Sequence, residues 1–470
     1  MKGLYLVVDL DQTLLKTDIL LECVWFSLQR APQMWLNVNC WKLAPIKRLL
    51  AINCQIDVAT LPYNLEVIQY IQAWKAEGGR AALATATDQI LAEKVAAHLG
   101  LFDTVYGSDG QVNLKGKTKA QFLLKQFGQQ QFIYMGDDAA DLPVWAVAAK
   151  AITVNASPEL RKKVEHINLN VEHLGIAKRS VKPYLQAIRP HQWVKNVLVF
   201  VPMLAGHQFH WLTFWGSLVA AVAFSLVASS VYVLNDLLDL QVDRAHPRKR
   251  HRPFAAGDLP LIHGIWMMLV LLGAGLAIAT TISWPFLGIL LLYYGLTTAY
   301  SFYLKRRIII DICTLAGLYT IRIFAGAVAT GISLSVWLLA FSIFFFFSLA
   351  TVKRQAELVD YRQRKQLKAG GRGYYIDDLP IISMMAIGAG YVSILVLALY
   401  INSSQVQLLY TKPQVLWGIC CVLLYWITRT IMLTHRGLMH YDPIVYAIKD
   451  RPSQLCFLIC LLFFILGRIL

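Results

Sequence analysis

Charge is scarce in this chain, and acidic charge most of all: 15% of its 470 residues are charged, with 28 Asp and Glu against 44 Lys and Arg. The resulting net charge of +16 calls for a negative partner. No nucleic-acid-binding signature is present, which leaves anionic lipid headgroups and phosphorylated substrates. The eight cysteines include no C-x-x-C pair, and five of them fall in predicted membrane spans, so neither a disulfide framework nor a zinc site is indicated. The amino terminus is not expected to be a signal peptide, because Asp9 cuts short the first apolar run; residues ahead of the first span are expected to stay cytoplasmic. What the chain does have is apolar surface. Its 57% hydrophobic content and mean hydropathy of +0.50 mark a membrane protein.

The densest chemistry lies in YVLNDLLDLQVDRAHPRKRHRP, Tyr232 to Pro253. Asp236, Asp239 and Asp243 are spaced by three and four, so on a helix they share a face about 60° wide. They follow an apolar run long enough to cross a bilayer and precede Arg244, Arg248, Lys249, Arg250 and Arg252. Carboxylates converging on one point suit Mg²⁺ completed by substrate phosphates, and the basic run suits a diphosphate. The plainer reading is a solvated helix whose basic end obeys the positive-inside rule.

The front of the chain alternates strand and helix patterns, as in a parallel α/β sheet. GLYLVVDLDQTLL is a short apolar strand ending in Asp9, Asp11 and Thr13. RAALATATD delivers Thr85, LKGKTKA offers Lys115 ahead of a helix, and FIYMGDDAAD ends in Asp137, Asp138 and Asp141. These four motifs, in order, resemble the haloacid dehalogenase superfamily of phosphatases. The resemblance implies a Rossmann-like domain over residues 1–175 with a cap near 18–60. Asp9 would be the nucleophile and Asp11 the acid/base, Thr85 and Lys115 would bind the phosphoryl group, and Asp9, Asp11, Asp137, Asp138 and Asp141 would surround Mg²⁺. The segment carrying Trp25, Trp35 and Trp41 with Lys42, Lys47 and Arg48 reads equally as cap or as membrane interface.

A basic stretch at 176–190 joins this domain to an all-α polytopic region, residues 183–470. About nine spans are expected there, near 185–204, 211–235, 262–282, 286–303, 308–330, 333–352, 379–401, 415–434 and 453–470. Alternate loops are basic, which puts the front domain and the charged loops on the cytoplasmic side of the cytoplasmic membrane and the carboxyl terminus on the other. TVKRQAELVDYRQRKQL sets Lys353, Glu357, Asp360 and Arg364 on one helical face, either as i,i+4 ion pairs or as a second polar wall. Arg322 lies mid-span and is expected to line a cavity, with Asp311 as a candidate partner.

The N-D-x-x-D-x-x-x-D motif with its spans and charged loops resembles the UbiA superfamily of intramembrane prenyltransferases. RPHQWVKNVLVFVP, YSFYLKR, RIFAGA, KRQAELVDYR and MHYDPIVYAIKDR carry the likeness further, to the decaprenyl-phosphate phosphoribosyltransferase branch. That branch implies Mg²⁺ held by Asp236, Asp239 and Asp243, and transfer of phosphoribose from phosphoribosyl pyrophosphate to a polyprenyl phosphate. Substrate contacts would come from Lys195, Asn196, Asn235, Arg244, Lys249, Arg252, Lys305, Arg306, Arg322, Lys353, Arg354, Glu357 and Asp360. The fused phosphatase would then remove the product's 5-phosphate. An aromatic prenyltransferase using a polyprenyl diphosphate is the alternative, and a transporter or scaffold is a third reading. Chain length of the lipid and oligomeric state stay open.

Overall fold

In the computed structural model of the chain, β1 (Tyr5–Val8) runs through the middle of a six-stranded, all-parallel sheet of order β3-β2-β1-β4-β5-β6. The other strands are β2 (Arg80–Asp88), β3 (Thr104–Ser108), β4 (Phe132–Gly136), β5 (Lys150–Val154) and β6 (Val171–Leu174). Between and around them lie α1 (Ile19–Arg30), α2 (Leu43–Asn53), α3 (Leu65–Ala76), α4 (Gln89–Leu99), α5 (Lys117–Phe127), α6 (Leu142–Trp145), α7 (Pro158–Ile167) and α8 (Lys182–Ile188). The structure describes residues 4–30, 43–54, 56–175, 180–363, 373–439 and 442–469; Trp35, Trp41, Lys42 and Arg364 lie outside them.

Local sequence explains the helix ends. Asp88 caps α4, accepting the Ile90 N–H at 3.0 Å, and Gly100 closes it at φ 63°. Ser157 caps α7, with Pro158 at its first position, where a missing N–H costs nothing. Leu6 and Val8 face one buried apolar layer with Leu83, Ile133 and Ile152, while Val7 faces the other with Tyr134 and Trp145, so both sides of the sheet are covered.

The remaining helices are α9 (Val201–Ala205), α10 (Trp211–Leu238), α11 (Leu240–Ala245), α12 (Leu261–Ile282), α13 (Trp284–Phe302), α14 (Ile310–Thr330), α15 (Val336–Gln363), α16 (Leu379–Ile401), α17 (Ser404–Leu409), α18 (Trp417–His435), α19 (Pro443–Lys449) and α20 (Arg451–Ile469). Among the described residues, 8 helices are long and apolar enough to cross a membrane. The stretch expected to span from 185 to 204 is not one α-helix. It breaks into α8, a 3₁₀ run at Pro190–Phe200 and α9, because Arg189 turns left-handed at φ 51° and prolines 190 and 202 supply no N–H.

The chain resolves into two compact units. One is Met1–Ile188 with Val233–Met267, and the other is Arg189–Tyr232 with Met268–Leu470. The aspartate segment thus belongs with the sheet, although the apolar run before it continues into the helical unit. Within the helical unit, Phe224, Val227, Phe286, Leu290, Tyr293 and Ala325 form one buried cluster. Gly326 lets the 3₁₀ run approach α14, since a Cβ there would sit 2.0 Å from the Val199 carbonyl oxygen. Gly326→Ala should therefore cost about 1–3 kcal/mol as an overpacked contact. Gly317→Ala, whose Cβ meets nothing within 4 Å, should be neutral or gain about 0.5–1 kcal/mol. Thermal unfolding of the two variants in detergent checks this.

Candidate active sites

The strand order reverses between β1 and β4, and a parallel sheet opens a crevice at the carboxyl ends of such strands. Asp9 leaves β1 there, its N–H donating to the Met135 carbonyl at 2.9 Å. The turn Leu10–Leu14 carries Gln12 at φ 57°, a strained conformation that swings the chain back toward the sheet. Asp9, Asp137 and Asp141 each place a carboxylate oxygen within 4.8 Å of the others. Lys119 Nζ lies 2.9 Å from Asp9 and 3.5 Å from Asp141, Tyr134 donates to Asp141 at 2.8 Å, and Thr13 donates to Asp137 at 2.9 Å. Gly136 is required beside them, because a Cβ would lie 2.5 Å from Asp141 Oδ2.

Asp11 accepts the Ile19 N–H at 2.9 Å and the Thr87 hydroxyl at 2.6 Å. Burial pushes its carboxyl up to about 7, with Asp18 adding to the rise. Burial likewise raises Asp9 to about 6 against the pull of Lys119, and raises Asp137 well above the carboxylate range. Three acidic groups crowded out of water are an arrangement that a hard divalent cation relieves, so the residues fit Mg²⁺.

Several expected members stand elsewhere. Lys115 is exposed, and the buried cation at the aspartates is Lys119. Three lysines occur in LKGKTKA; α5 begins at Lys117, and its inward face takes Lys119 with Ala120 and Leu123. Thr85 is buried and accepts the Thr87 N–H, while Thr87 is the hydroxyl that reaches Asp11. Asp11 is not among the three converging carboxylates, and Asp138 is exposed, capping the short turn Ala139–Asp141. Lys47 turns inward, donating to the Ala86 carbonyl at 2.6 Å and to Asn113 at 2.9 Å.

The second constellation closes around α11. Arg252 Nη1 bonds Asp236 at 3.0 Å and Asp243 at 2.5 Å, so both carboxylates point at one cationic atom. Asp243 Oδ1 has no hydrogen-bond donor among the described residues, and the nearest ammonium, Lys249, is 4.0 Å away. Burial raises the Asp243 carboxyl to about 6 despite Arg252 and Lys249. Asp239 sits at the junction of α10 and α11, with its N–H on the Asn235 carbonyl at 2.9 Å. Convergent buried oxygens, one of them without a donor, fit Mg²⁺ in place of the guanidinium. Arg244 does not face this point. It is buried, with its Nη atoms on both oxygens of Glu22 at 2.6 and 2.8 Å and its Nε donating to the Ala255 carbonyl at 3.1 Å.

A third set of buried polar groups lies in the helical unit. Lys195 and Lys353 meet the same oxygen of Asp442 at 2.9 and 3.2 Å, and the Tyr319 hydroxyl donates to it at 3.2 Å. The two ammonium groups hold the Asp442 carboxyl well below its ordinary range although burial opposes them. Arg322 donates to Asn196 Oδ1 at 2.8 Å and to the Tyr293 hydroxyl at 2.9 Å, and Asn196 donates to Ser225 at 2.8 Å. Asp311 is not its partner; that carboxylate takes Arg354 at 2.8 Å and the Tyr374 hydroxyl at 2.7 Å. Arg354 also pairs with Glu357, whereas Asp360 is half-buried on the same helix, Lys305 and Arg306 lie on the 3₁₀ turn Leu304–Arg306, and Arg306 is exposed. Sequence reasoning missed Lys119, Thr87, Glu22 and Asp442, none of which carries a spacing signal.

Lys119→Ala should lower hydrolysis of a simple aryl phosphate by about 10²–10³-fold, the usual cost of one group that stabilises developing charge. Lys115→Ala should change it by less than about threefold, the difference expected between a buried contact and an exposed ammonium. Steady-state rates of both variants check the assignment.

Comparison with known proteins finds a family for each part of the chain. The UbiA prenyltransferase family matches residues 197–437, and the haloacid dehalogenase-like hydrolases match residues 44–145. The uncharacterized protein y4nM of Sinorhizobium fredii is 37% identical over 96% of this chain and 89% of its own length. Nodulation protein NoeC of Azorhizobium caulinodans is 38% identical over 60% of this chain and 92% of its own length. Decaprenyl-phosphate phosphoribosyltransferase of Mycolicibacterium smegmatis is 38% identical over 39% of this chain and 59% of its own length. The chain is therefore a member of the UbiA prenyltransferase family, with a haloacid dehalogenase-like hydrolase domain ahead of its membrane helices.

Proposed function

We propose that the chain transfers phosphoribose from phosphoribosyl pyrophosphate to a polyprenyl phosphate at the cytoplasmic face of the membrane, and that its front domain hydrolyses the 5-phosphate of that product. The observation that carries the reading is the 38% identity, over 193 residues, to a decaprenyl-phosphate phosphoribosyltransferase.

Mg²⁺ held by Asp236, Asp243 and Asp239 would neutralise the diphosphate as it leaves the anomeric carbon. Arg252 releases the two carboxylates and moves onto the diphosphate, exchanging one set of anionic partners for another. The lipid phosphate oxygen attacks the anomeric carbon, its bond forming as the carbon–pyrophosphate bond breaks. Lys195 and Arg322, both buried, and the half-buried Lys353 supply positive charge for phosphate groups, with Asp442 holding the two lysines until substrate arrives. In the front domain Asp9 attacks the phosphorus of the 5-phosphate, Asp11 protonates the departing ribose hydroxyl, and Lys119 stabilises the phosphoryl oxygens. Water then cleaves the aspartyl-phosphate. Mg²⁺ on Asp9, Asp137 and Asp141 would supply further charge neutralisation there.

Detergent-purified protein with Mg²⁺ should release pyrophosphate from phosphoribosyl pyrophosphate plus polyprenyl phosphate. Asp236→Asn should reduce release by about 10²-fold or more, as loss of a metal ligand does. Mass spectrometry should find a ribosyl lipid without its 5-phosphate from the full protein, and one retaining it from Asp9→Asn. Release only with a polyprenyl diphosphate plus an aromatic acid would return the protein to aromatic prenylation. Identical lipid products from both proteins would remove the phosphatase step.

A further inference from the structure

Glu22 belongs to the hydrolase-like part of the sequence and Arg244 to the aspartate motif, yet they form a buried, bidentate ion pair across a separation of 222 residues. Both partners lie in the same compact unit. The Thr17 hydroxyl donates to Glu22 at 2.7 Å, fixing the carboxylate from its own side. Three residues on, Trp25 Nε1 donates to the Leu237 carbonyl at 2.7 Å, gripping the end of α10 between Asp236 and Asp239. On the other side, Arg244 Nε ties to Ala255, three residues beyond Arg252. Arg244 directly follows Asp243, and Asp243 faces Arg252 and hence Asp236. Helix α1 therefore holds both ends of the loop whose carboxylates converge.

We infer that α1 of the hydrolase-like domain is part of the transferase's metal site, with Glu22 as a positioning residue that acts through Arg244 to aim Asp243. The inference rests on the proposed role of Asp236 and Asp243 as metal ligands. It makes the front domain necessary to the membrane reaction for a structural reason, independent of any phosphate it hydrolyses. The amino end of the same helix donates the Ile19 N–H to Asp11, so one helix of twelve residues is shared by both sites. A salt bridge that served only stability would alter folding without a selective effect on metal affinity. A partner that orients a ligand changes metal affinity by about 10–100-fold.

The test uses the full chain in detergent. Pyrophosphate release is titrated with Mg²⁺ for the natural protein, Glu22→Gln and the exposed control Glu159→Gln. In parallel, Mn²⁺ binding is followed by electron paramagnetic resonance in an Asp137→Asn background, which removes the site at the sheet. Glu22→Gln should raise the Mg²⁺ requirement and weaken Mn²⁺ binding about tenfold or more, with the rate at saturating Mg²⁺ within about threefold, as expected for a ligand-orienting partner. Unchanged metal affinity overturns the inference. Should Glu22→Gln not survive purification, Glu22→Asp decides in the same assays: it keeps the charge but withdraws the carboxylate by one methylene, and an unchanged metal requirement again overturns the inference. Loss of Mn²⁺ binding in Asp236→Asn without any transferase activity in the natural protein would sink the proposed reaction alone. The Glu22 effect on Mn²⁺ would still be read there.

Discussion

A carboxylate taken out of water needs a cation or hydrogen-bond donors around it, and this constraint shapes the acidic clusters among the described residues. Removing one partner of a buried pair typically costs about 3–5 kcal/mol, because the other charge is left without compensation. Lys119 answers Asp9 and Asp141, Arg252 answers Asp236 and Asp243, Arg244 answers Glu22, and Arg354 answers Asp311. Asp442 is answered twice, by Lys195 and Lys353. Each of these cations occupies the space between or beside the carboxylates it neutralises, so none of the clusters is a bare acidic hole.

The scaffold beneath these clusters is of two kinds. In the front domain the reversal of strand order between β1 and β4 delivers Asp9 and Asp137 to one crevice, and Gly136 keeps room for Asp141. In the helical unit Gly326 allows the 3₁₀ run bearing Lys195 and Asn196 to approach the helix bearing Arg322. A break at Arg189 and Pro190 makes that run possible, where a continuous apolar helix would have turned the same residues in other directions.

Much of this was legible in the sequence. The alternation of strand and helix patterns, the apolar runs of α10 to α20 and the acidic motifs all arise from local periodicity, which follows directly from helix and strand geometry. Reading failed where the answer depended on helix phase or on distant partners. LKGKTKA holds three lysines, and the start of α5 alone selects Lys119 over Lys115. Arg244 and Arg252 look alike in a basic run, yet one is buried on Glu22 and the other bridges two aspartates.

Composition, spans and motif spacing were thus determined by the sequence itself, because they depend on neighbours within a few residues. Which cation meets which carboxylate was decided only by the tertiary structure. Glu22 and Arg244, or Lys195 and Asp442, are separated by 222 and 247 residues. Coulomb attraction in a buried setting acts over a few ångströms, and no local pattern records which distant residues the fold will bring that close.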